Sequence, residues 1–64
     1  MYSIKTIVQQ QVNAYYGRVT KIKSFNLYSL SERHAVYMVI LKDRHETLLV
    51  YIPLDGYKPY TTSQ

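Results

Sequence analysis

The N-terminal part of the chain repeats its apolar side chains with the period of an α-helix. These side chains recur mainly at intervals of three and four residues and form one stripe: Ile4, Ile7, Val8, Val12 and Tyr15. The pattern predicts a helix over residues 3–16, with Ser3 as its N-cap and Gly17 as its C-terminal stop. Gln11 is the exception, because it projects into the stripe. Its flexible side chain could reach the edge of the stripe or point at a partner.

Beyond Gly17 the pattern changes to the alternation of β-strands. Three stretches fit: residues 18–30, 35–42 and 47–53. Along the first stretch, the side of the strand that carries the apolar residues changes, which indicates a β-bulge or an edge position. Four polar residues, 43–46, separate the second and third stretches and predict a hairpin. After a turn at Asp55-Gly56, residues 57–64 are predicted to be a loose tail.

Together these elements predict an α+β fold. Residues 1–64 are expected to form a single small domain, with one N-terminal helix packed on a three-stranded antiparallel β-meander. A chain this short buries only about 60% of the surface that it exposes when unfolded. It contains no cysteine, which excludes disulfides and a thiolate zinc site. Tight packing or association with another chain must therefore stabilise it.

The central hairpin is apolar on both sides. One side of the second strand carries Val36, Met38 and Ile40, and its other side carries Ala35, Tyr37, Val39 and Leu41. The third strand repeats this with Leu48, Val50 and Ile52 against Leu49 and Tyr51. One helix can shield only one face, and large bare apolar patches are rare on soluble monomers. The second face is therefore expected to be covered by the C-terminal tail, by a second copy or by a different protein.

This mismatch favours a non-catalytic protein-binding module, such as a small inhibitor or adaptor, with a homodimer as one form of the association. Eight tyrosines in 64 residues support an interface, where tyrosine is over-represented. Small basic proteins of this type are also typical of phage-encoded inhibitors, by analogy alone. Five residues are predicted to form the partner-binding anchor: Tyr37, Val39, Leu41, Leu49 and Tyr51.

A mild excess of positive charge suggests a second function. The chain carries eight Lys and Arg against four Asp and Glu, a formal charge of +4. Arg18, Lys21 and Lys23 are predicted to steer an acidic protein partner or to protect an edge strand from aggregation. With Tyr28 as a stacking platform, the same residues give the alternative of a basic single-stranded nucleic-acid-binding protein.

The titratable residues do not form a pattern typical of catalysis. His34 and His45 flank the second strand at opposite ends, too far apart to share a metal ion within one chain. The acidic residues all fall in predicted turns: Glu32, Asp43, Glu46 and Asp55. We therefore expect no enzyme activity, no cofactor, no metal and no small-molecule substrate.

The cellular location is also an expectation from sequence. The N-terminus lacks the charged and then apolar layout of a signal peptide. The longest apolar run, Ala35 to Leu41, is far shorter than the ~20 residues of a membrane-spanning helix. These features predict a soluble, cytoplasmic protein without a membrane partner, and the opening Met1 suggests a complete gene product.

Two segments resemble a known family. Tyr37-Met38-Val39 precedes the charged turn, and Val50-Tyr51-Ile52-Pro53 with Asp55-Gly56 follows it. This arrangement, over residues 7–58, resembles the small α+β domains of the PepSY and TseB-like type. The resemblance implies a helix followed by a meander, no catalytic residues, and a role in binding or regulating other proteins, often at the cell envelope. We expect the present chain to depart from those domains in lacking a membrane anchor or signal, because residues 1–64 contain neither a signal-peptide layout nor a membrane-length apolar run.

Overall fold

A computed structural model describes residues 3–64, which form one helix and one open antiparallel sheet of four strands. The elements, in chain order, are α1 (Ile4–Tyr16), β1 (Ile22–Leu30), β2 (His34–Leu41), β3 (Thr47–Pro53) and β4 (Tyr60–Ser63). Each strand pairs with the one that precedes it in sequence, so the spatial order is β1-β2-β3-β4. The predicted α+β class and meander are confirmed, whereas the predicted number of three strands is wrong.

Helix α1 begins and ends where the capping residues predict. The Ser3 hydroxyl accepts a hydrogen bond from the Thr6 backbone N–H at 3.2 Å, which satisfies one of the free N–H groups of the first turn. Gly17 follows the last turn with φ of +71°, a left-handed conformation that glycine adopts without a steric penalty. The N–H of Gly17 donates to the Asn13 carbonyl and so completes the C-cap.

The predicted stripe of α1 lies against the sheet through its middle. Val8 and Val12 are fully buried, whereas Ile4 and Tyr15 at the two ends of the stripe are exposed. Gln11, the polar exception, is partly buried, and its side-chain oxygen accepts a hydrogen bond from the Thr61 hydroxyl at 3.2 Å. Gln11 therefore contacts the chain's own β4.

The segment between α1 and β1 is anchored by two polar side chains of the helix. Asn13 Oδ1 accepts hydrogen bonds from the Thr20 N–H at 3.0 Å and from Gln9 Nε2 at 2.8 Å. Gln9 Nε2 also donates to the Thr20 carbonyl at 2.7 Å. Since these bonds hold the Thr20 backbone to the helix, the strand begins at Ile22 and not at residue 18 as predicted.

Strand β1 is irregular, as the change in the side that carries its apolar residues predicted. Its pairing with β2 shifts register twice, between Ile22 and Ser24 and between Leu27 and Ser29. Each shift adds one residue to β1 relative to β2, which is the definition of a bulge. The predicted bulge is confirmed, and there are two.

The C-terminal residues form a strand, so the prediction of a loose tail is wrong. Residues 60–63 pair with β3, with Tyr60 opposite Tyr51 and Thr62 opposite Leu49. The Gln64 N–H then donates to the Thr47 carbonyl at 2.9 Å. Extending the sheet gives the tail backbone hydrogen bonds that a chain folded across the face would lack.

The core lies between α1 and the side of the sheet that faces it. Its buried members are Val8, Val12, Val39, Leu41, Leu48 and Val50. Partly buried side chains surround them: Tyr16, Ile22, Phe25, Tyr37 and Ile52. Burying one such aliphatic side chain stabilises a fold by about 1.5–3 kcal/mol, so this single layer is the main stabilising feature of the domain.

Candidate functional site

The side of the sheet away from α1 is left uncovered by any further helix or strand of residues 3–64. We call it the outer face. The pairing registers place on it these side chains: Ser24, Asn26, Ser29, His34, Val36, Met38, Ile40, Thr47, Leu49, Tyr51, Pro53, Tyr60 and Thr62. Within residues 3–64 the elements are α1 and four strands of one sheet, so no second helix or strand lies over this face.

The outer face has an apolar centre and a polar rim. The centre follows β2 and β3, where Met38 lies opposite Leu49 and Val36 opposite Tyr51. The rim is formed by hydroxyl and amide side chains of the two edge strands, such as Asn26. None of the side chains that the registers place on this face is Lys, Arg, Asp or Glu, and charged residues of the adjoining loops and of the first β1 bulge line grooves at its two ends. An apolar centre within a polar rim is the usual anatomy of a protein–protein interface.

Burial varies along this face. Val36 is 8% exposed and Met38 and Leu49 are partly buried, whereas Ile40 is 38% exposed. Cross-strand neighbours shield Val36, since Tyr51 and Ser29 lie beside it on either side. The face is therefore most open toward Ile40, where β1 and β3 offer only Ser24 and Thr47 as neighbours on this side.

Three aromatic rings lie at the end of the outer face that is opposite to Ile40. Tyr51 and Tyr60 stack in parallel, with ring centroids 4.7 Å apart and an interplanar angle of 6°. His34 meets both rings edge-on, with centroid distances of 6.2 Å to Tyr51 and 6.1 Å to Tyr60. The tail thus contributes Tyr60 to the face from its edge, and β4 does not fold over the apolar centre.

The five residues predicted as a partner-binding anchor do not share one surface. Tyr37, Val39 and Leu41 point toward α1, and Val39 and Leu41 are buried in the core. Leu49 and Tyr51 lie on the outer face. The reason is the register of the β2–β3 hairpin, which pairs Val39 with the core residue Leu48. Val39 therefore lies on the opposite side of the sheet from Leu49 and Tyr51. The prediction of a single anchor is corrected on this point.

The residues that sequence reasoning missed are Val36, Met38, Ile40 and Tyr60. The alternation of β2 already grouped the first three on one side. The missing information was which side of β3 pairs with which side of β2. The pairing of Ile40 with Thr47 would have supplied it, because this one pair fixes every other pair of the hairpin.

The predicted basic residues lie near one end of the sheet. The Lys42 N–H donates to the Lys21 carbonyl at 3.2 Å. A groove beside Ile40 is lined by Lys23, Lys42 and Arg44 together with the acidic residues Asp43 and Glu46. Arg18 precedes them in the segment between α1 and β1, where its N–H donates to the Asn13 carbonyl. The structure thus adds Lys42 and Arg44 to the predicted cations. We call Lys21, Lys23, Lys42 and Arg44 the basic end.

Tyr28 does not join the basic end. It lies at the second bulge of β1, five residues beyond Lys23, which corresponds to about 16 Å along a strand. Its side chain is 55% exposed. The predicted combination of cations with a stacking tyrosine is therefore spread over the length of β1.

One tyrosine links α1 to the loop between β2 and β3. The Tyr16 hydroxyl donates to Glu46 Oε1 at 2.6 Å, and the Arg44 guanidinium carbon lies 4.2 Å from the centroid of the Tyr16 ring. Burial of the hydroxyl, its hydrogen bond to Glu46 and the negative charge of Glu46 raise the pKa of Tyr16 to about 12. This arrangement ties the hairpin loop to the end of the helix and has a structural role.

The remaining titratable residues are dispersed. His34 belongs to the ring cluster, and His45 is exposed in the loop at the other end of β2. Among residues 3–64, no group of three or more His, Cys, Asp or Glu side chains is arranged to hold a metal ion. Over the same range, no helix combines the length and apolar character needed to cross a bilayer.

Comparison with known proteins finds no matching family model, no similar curated protein and no similar solved structure. The resemblance to PepSY and TseB-like domains stays a prediction that rests on the residues quoted for it. Function is accordingly inferred from the two surfaces described above, the outer face and the basic end.

Proposed function

We propose that this protein is a non-catalytic protein-binding module that acts as a small inhibitor or adaptor and uses the outer face as its binding surface. The observation that supports this most directly is the uncovered apolar centre formed by Met38, Ile40 and Leu49, since the single helix of residues 3–64 packs on the opposite side of the sheet. The proposal includes a cytoplasmic location, which rests on the sequence.

The energetics of the face favour protein binding. Burying apolar surface stabilises a complex by about 25 cal/mol per Å², and a flat sheet loses little conformational entropy when it docks. Tyr51 and Tyr60 are the residue type most enriched at binding hot spots, and their stacking holds both rings in place before a partner arrives. Preordered aromatic side chains next to aliphatic ones are therefore the expected anchor.

The decisive experiment is a capture assay with matched variants. The immobilised protein is incubated with lysate of the cells in which it is naturally expressed, with and without nuclease. We expect a protein that is retained by the wild type and by Val19→Asp, and lost with Leu49→Asp. Val19 is 83% exposed and lies outside the sheet, so it controls for the added charge. Equal capture by all three proteins would contradict the proposal.

Single-stranded nucleic acid binding is the second candidate, and the basic end is the observation that favours it. Lys23, Lys42 and Arg44 line one groove together with Asp43 and Glu46, and these three cations are the groups that would contact phosphates. A salt series separates the two functions. Nucleic-acid binding releases counterions, so its affinity falls steeply with salt, whereas the affinity of docking on the apolar centre of the outer face changes little. Binding to an oligonucleotide that is abolished by Lys42→Glu and unaffected by Leu49→Asp would favour this second function.

A further inference from the structure

An open cleft lies beside His34 and Tyr60, where the loop of residues 54–59 connects β3 to β4. Its volume is about 640 Å³, within the roughly 300–1,000 Å³ that is usual for ligand-binding clefts. We call it the end cleft. Four residues with rings and three with charges line it: His34, Pro53, Tyr57, Tyr60, Arg33, Asp55 and Lys58.

Two hydrogen bonds position the loop that forms one wall of the end cleft. The Leu54 N–H donates to the Arg33 carbonyl at 2.9 Å, which ties this loop to the turn before β2. Within the loop, the Asp55 carboxylate accepts a long hydrogen bond from the Tyr57 N–H at 3.5 Å. The cleft is therefore held by contacts of the fold, and the acidic side chain in its lining already has a partner.

The rings of the end cleft are accessible to a ligand. Tyr57 is 75% exposed and Tyr60 is 45% exposed, although Tyr60 stacks on Tyr51. Tyrosine offers an apolar ring face together with a hydroxyl that can donate to a carbonyl oxygen. A segment in the polyproline II conformation matches both properties, because its pyrrolidine rings are apolar and its backbone carbonyls make no internal hydrogen bonds.

Other modes of peptide binding fit the end cleft less well. His34, Pro53 and Tyr60 are terminal residues of β2, β3 and β4, and proline has no backbone N–H. The cleft therefore lacks the row of free backbone groups that an added strand requires. A helix bonds its own carbonyls internally, so the tyrosine hydroxyls would find no acceptors along its backbone.

The charges in the lining favour an acidic ligand. Arg33 and Lys58 outnumber Asp55, the one acidic residue among the lining side chains. Arg33 directly precedes β2 and Lys58 lies in the loop before β4, and these two strands flank β3 in the sheet. A peptide that crosses the cleft between the two cations could thus pair an acidic residue with each of them.

Resting on the proposed function, we infer that the end cleft binds a proline-rich segment of the partner protein that carries acidic residues on both sides of its prolines. The prolines lie against the rings of His34, Tyr57 and Tyr60, and the acidic residues pair with Arg33 and Lys58. Since His34 and Tyr60 also belong to the outer face, the same partner contacts both surfaces at once.

Fluorescence anisotropy with a labelled synthetic peptide, a short run of prolines with glutamates at both ends, tests this inference. We expect saturable binding to the wild type and binding at least about fivefold weaker to Tyr57→Ala and to Lys58→Glu. Tyr28→Ala and Lys5→Glu are the matched controls, since they change an exposed tyrosine and an exposed lysine outside the cleft, and they should bind like the wild type. Far-UV circular dichroism checks that each variant is folded.

Matched probes separate the two parts of the recognition. Lysines in place of the glutamates should weaken binding, because they oppose the cations of the cleft. Alanines in place of the prolines should also weaken it, because alanine does not hold the polyproline II conformation. A wild type that binds no proline probe, or binds the alanine probe equally well, overturns the inference. Tyr57-dependent binding of adenosine monophosphate without binding of the proline probe also overturns it, since the rings and cations would then serve a nucleotide.

These outcomes are distinct from those of the capture assay. If the wild type does not bind the proline probe but captures a protein in a Leu49-dependent manner, the inference fails and the proposed function stands. Tyr57-dependent binding of the probe without Leu49-dependent capture supports the end cleft and contradicts the outer face as the binding surface. Probe binding that is lost with Leu49→Asp and kept with Tyr57→Ala overturns the inference, because the peptide would then lie on the outer face.

Discussion

Tyr51 of β3 and Tyr60 of β4 stack with ring centroids 4.7 Å apart and planes 6° from parallel. The two residues are directly opposite each other in the β3–β4 ladder. Their contact joins the last strand to the middle of the sheet, and His34 packs against the edge of the pair from β2. Three strands thus share one ring cluster, which makes the C-terminal residues part of the folded domain.

A double-mutant cycle measures this stacking. We expect Tyr51→Ala and Tyr60→Ala each to lower the free energy of unfolding, with a coupling energy of about 0.5–1.5 kcal/mol between them, because stacked rings interact beyond the area that each buries. Urea denaturation of the two single variants and the double variant supplies the values. Strict additivity would show that the rings do not interact in solution.

The two neighbouring leucines of β3 are predicted to respond differently to truncation. Leu48 is fully buried in the core, whereas Leu49 is on the outer face. Leu48→Ala should cost about 2–5 kcal/mol of unfolding free energy, since it leaves a cavity between α1 and the sheet. Leu49→Ala should cost clearly less when measured in dilute monomer by urea denaturation. The reverse order would mean that the hairpin register is different from the one described.

Asn13 is predicted to be the most important polar side chain of the helix. It accepts hydrogen bonds from the Thr20 N–H and from Gln9 Nε2. Asn13→Ala should lower the free energy of unfolding by about 1–3 kcal/mol, because both donors would lose this acceptor in a partly buried setting. Gln10→Ala is the control, as Gln10 is exposed on the same helix. Thermal unfolding that treats the two variants alike would contradict this role.

The hydrogen bond between Tyr16 and Glu46 predicts a loss of stability at high pH. Burial and Glu46 raise the pKa of Tyr16 from 10.0 to about 12 on folding, so the folded state holds the hydroxyl proton more tightly than the unfolded state does. The resulting stabilisation is complete below pH 10.0 and is lost as pH rises toward about 12.

Denaturation at a series of alkaline pH values checks this. The stability advantage of the wild type over Tyr16→Phe should shrink through the window from pH 10.0 to about 12, since phenylalanine has no proton to lose. Glu46→Gln keeps an acceptor and removes the negative charge that helps to raise the folded-state pKa, so its loss of stability should start at the same pH and end at a lower pH than that of the wild type. A constant difference between wild type and Tyr16→Phe would show that the hydroxyl titrates as in the unfolded chain.

The sequence predicted those parts of the fold whose signals are long or chemically specific. The period of α1, with Ser3 and Gly17 at its ends, identified the helix to within one residue. The strand β4 was missed because its four residues are too few for alternation to be recognised and because Pro59 directly precedes it. What makes it a strand is the free edge of β3, a tertiary feature that local sequence does not contain.

The sequence predicted that one face of the sheet would be apolar and uncovered, but it did not predict which residues form that face. The excess of apolar residues over what α1 can shield was visible in the sequence, and the structure shows the face that this excess creates. The membership of that face depends on the β2–β3 register, which assigned Val39 and Leu41 to the core and Met38 and Ile40 to the outer face. A strand that is apolar on both sides gives no local indication of which side meets the helix.

The two borders of the sheet have a consequence for how the protein can polymerise. Strand β1 is interrupted by bulges at two places, and β4 spans only Tyr60–Ser63. Neither edge offers a long, straight row of free backbone N–H and C=O groups with which a strand of a neighbouring molecule could pair. Fibrous growth is blocked from both sides, so concentrated solutions should yield assemblies of fixed, small number.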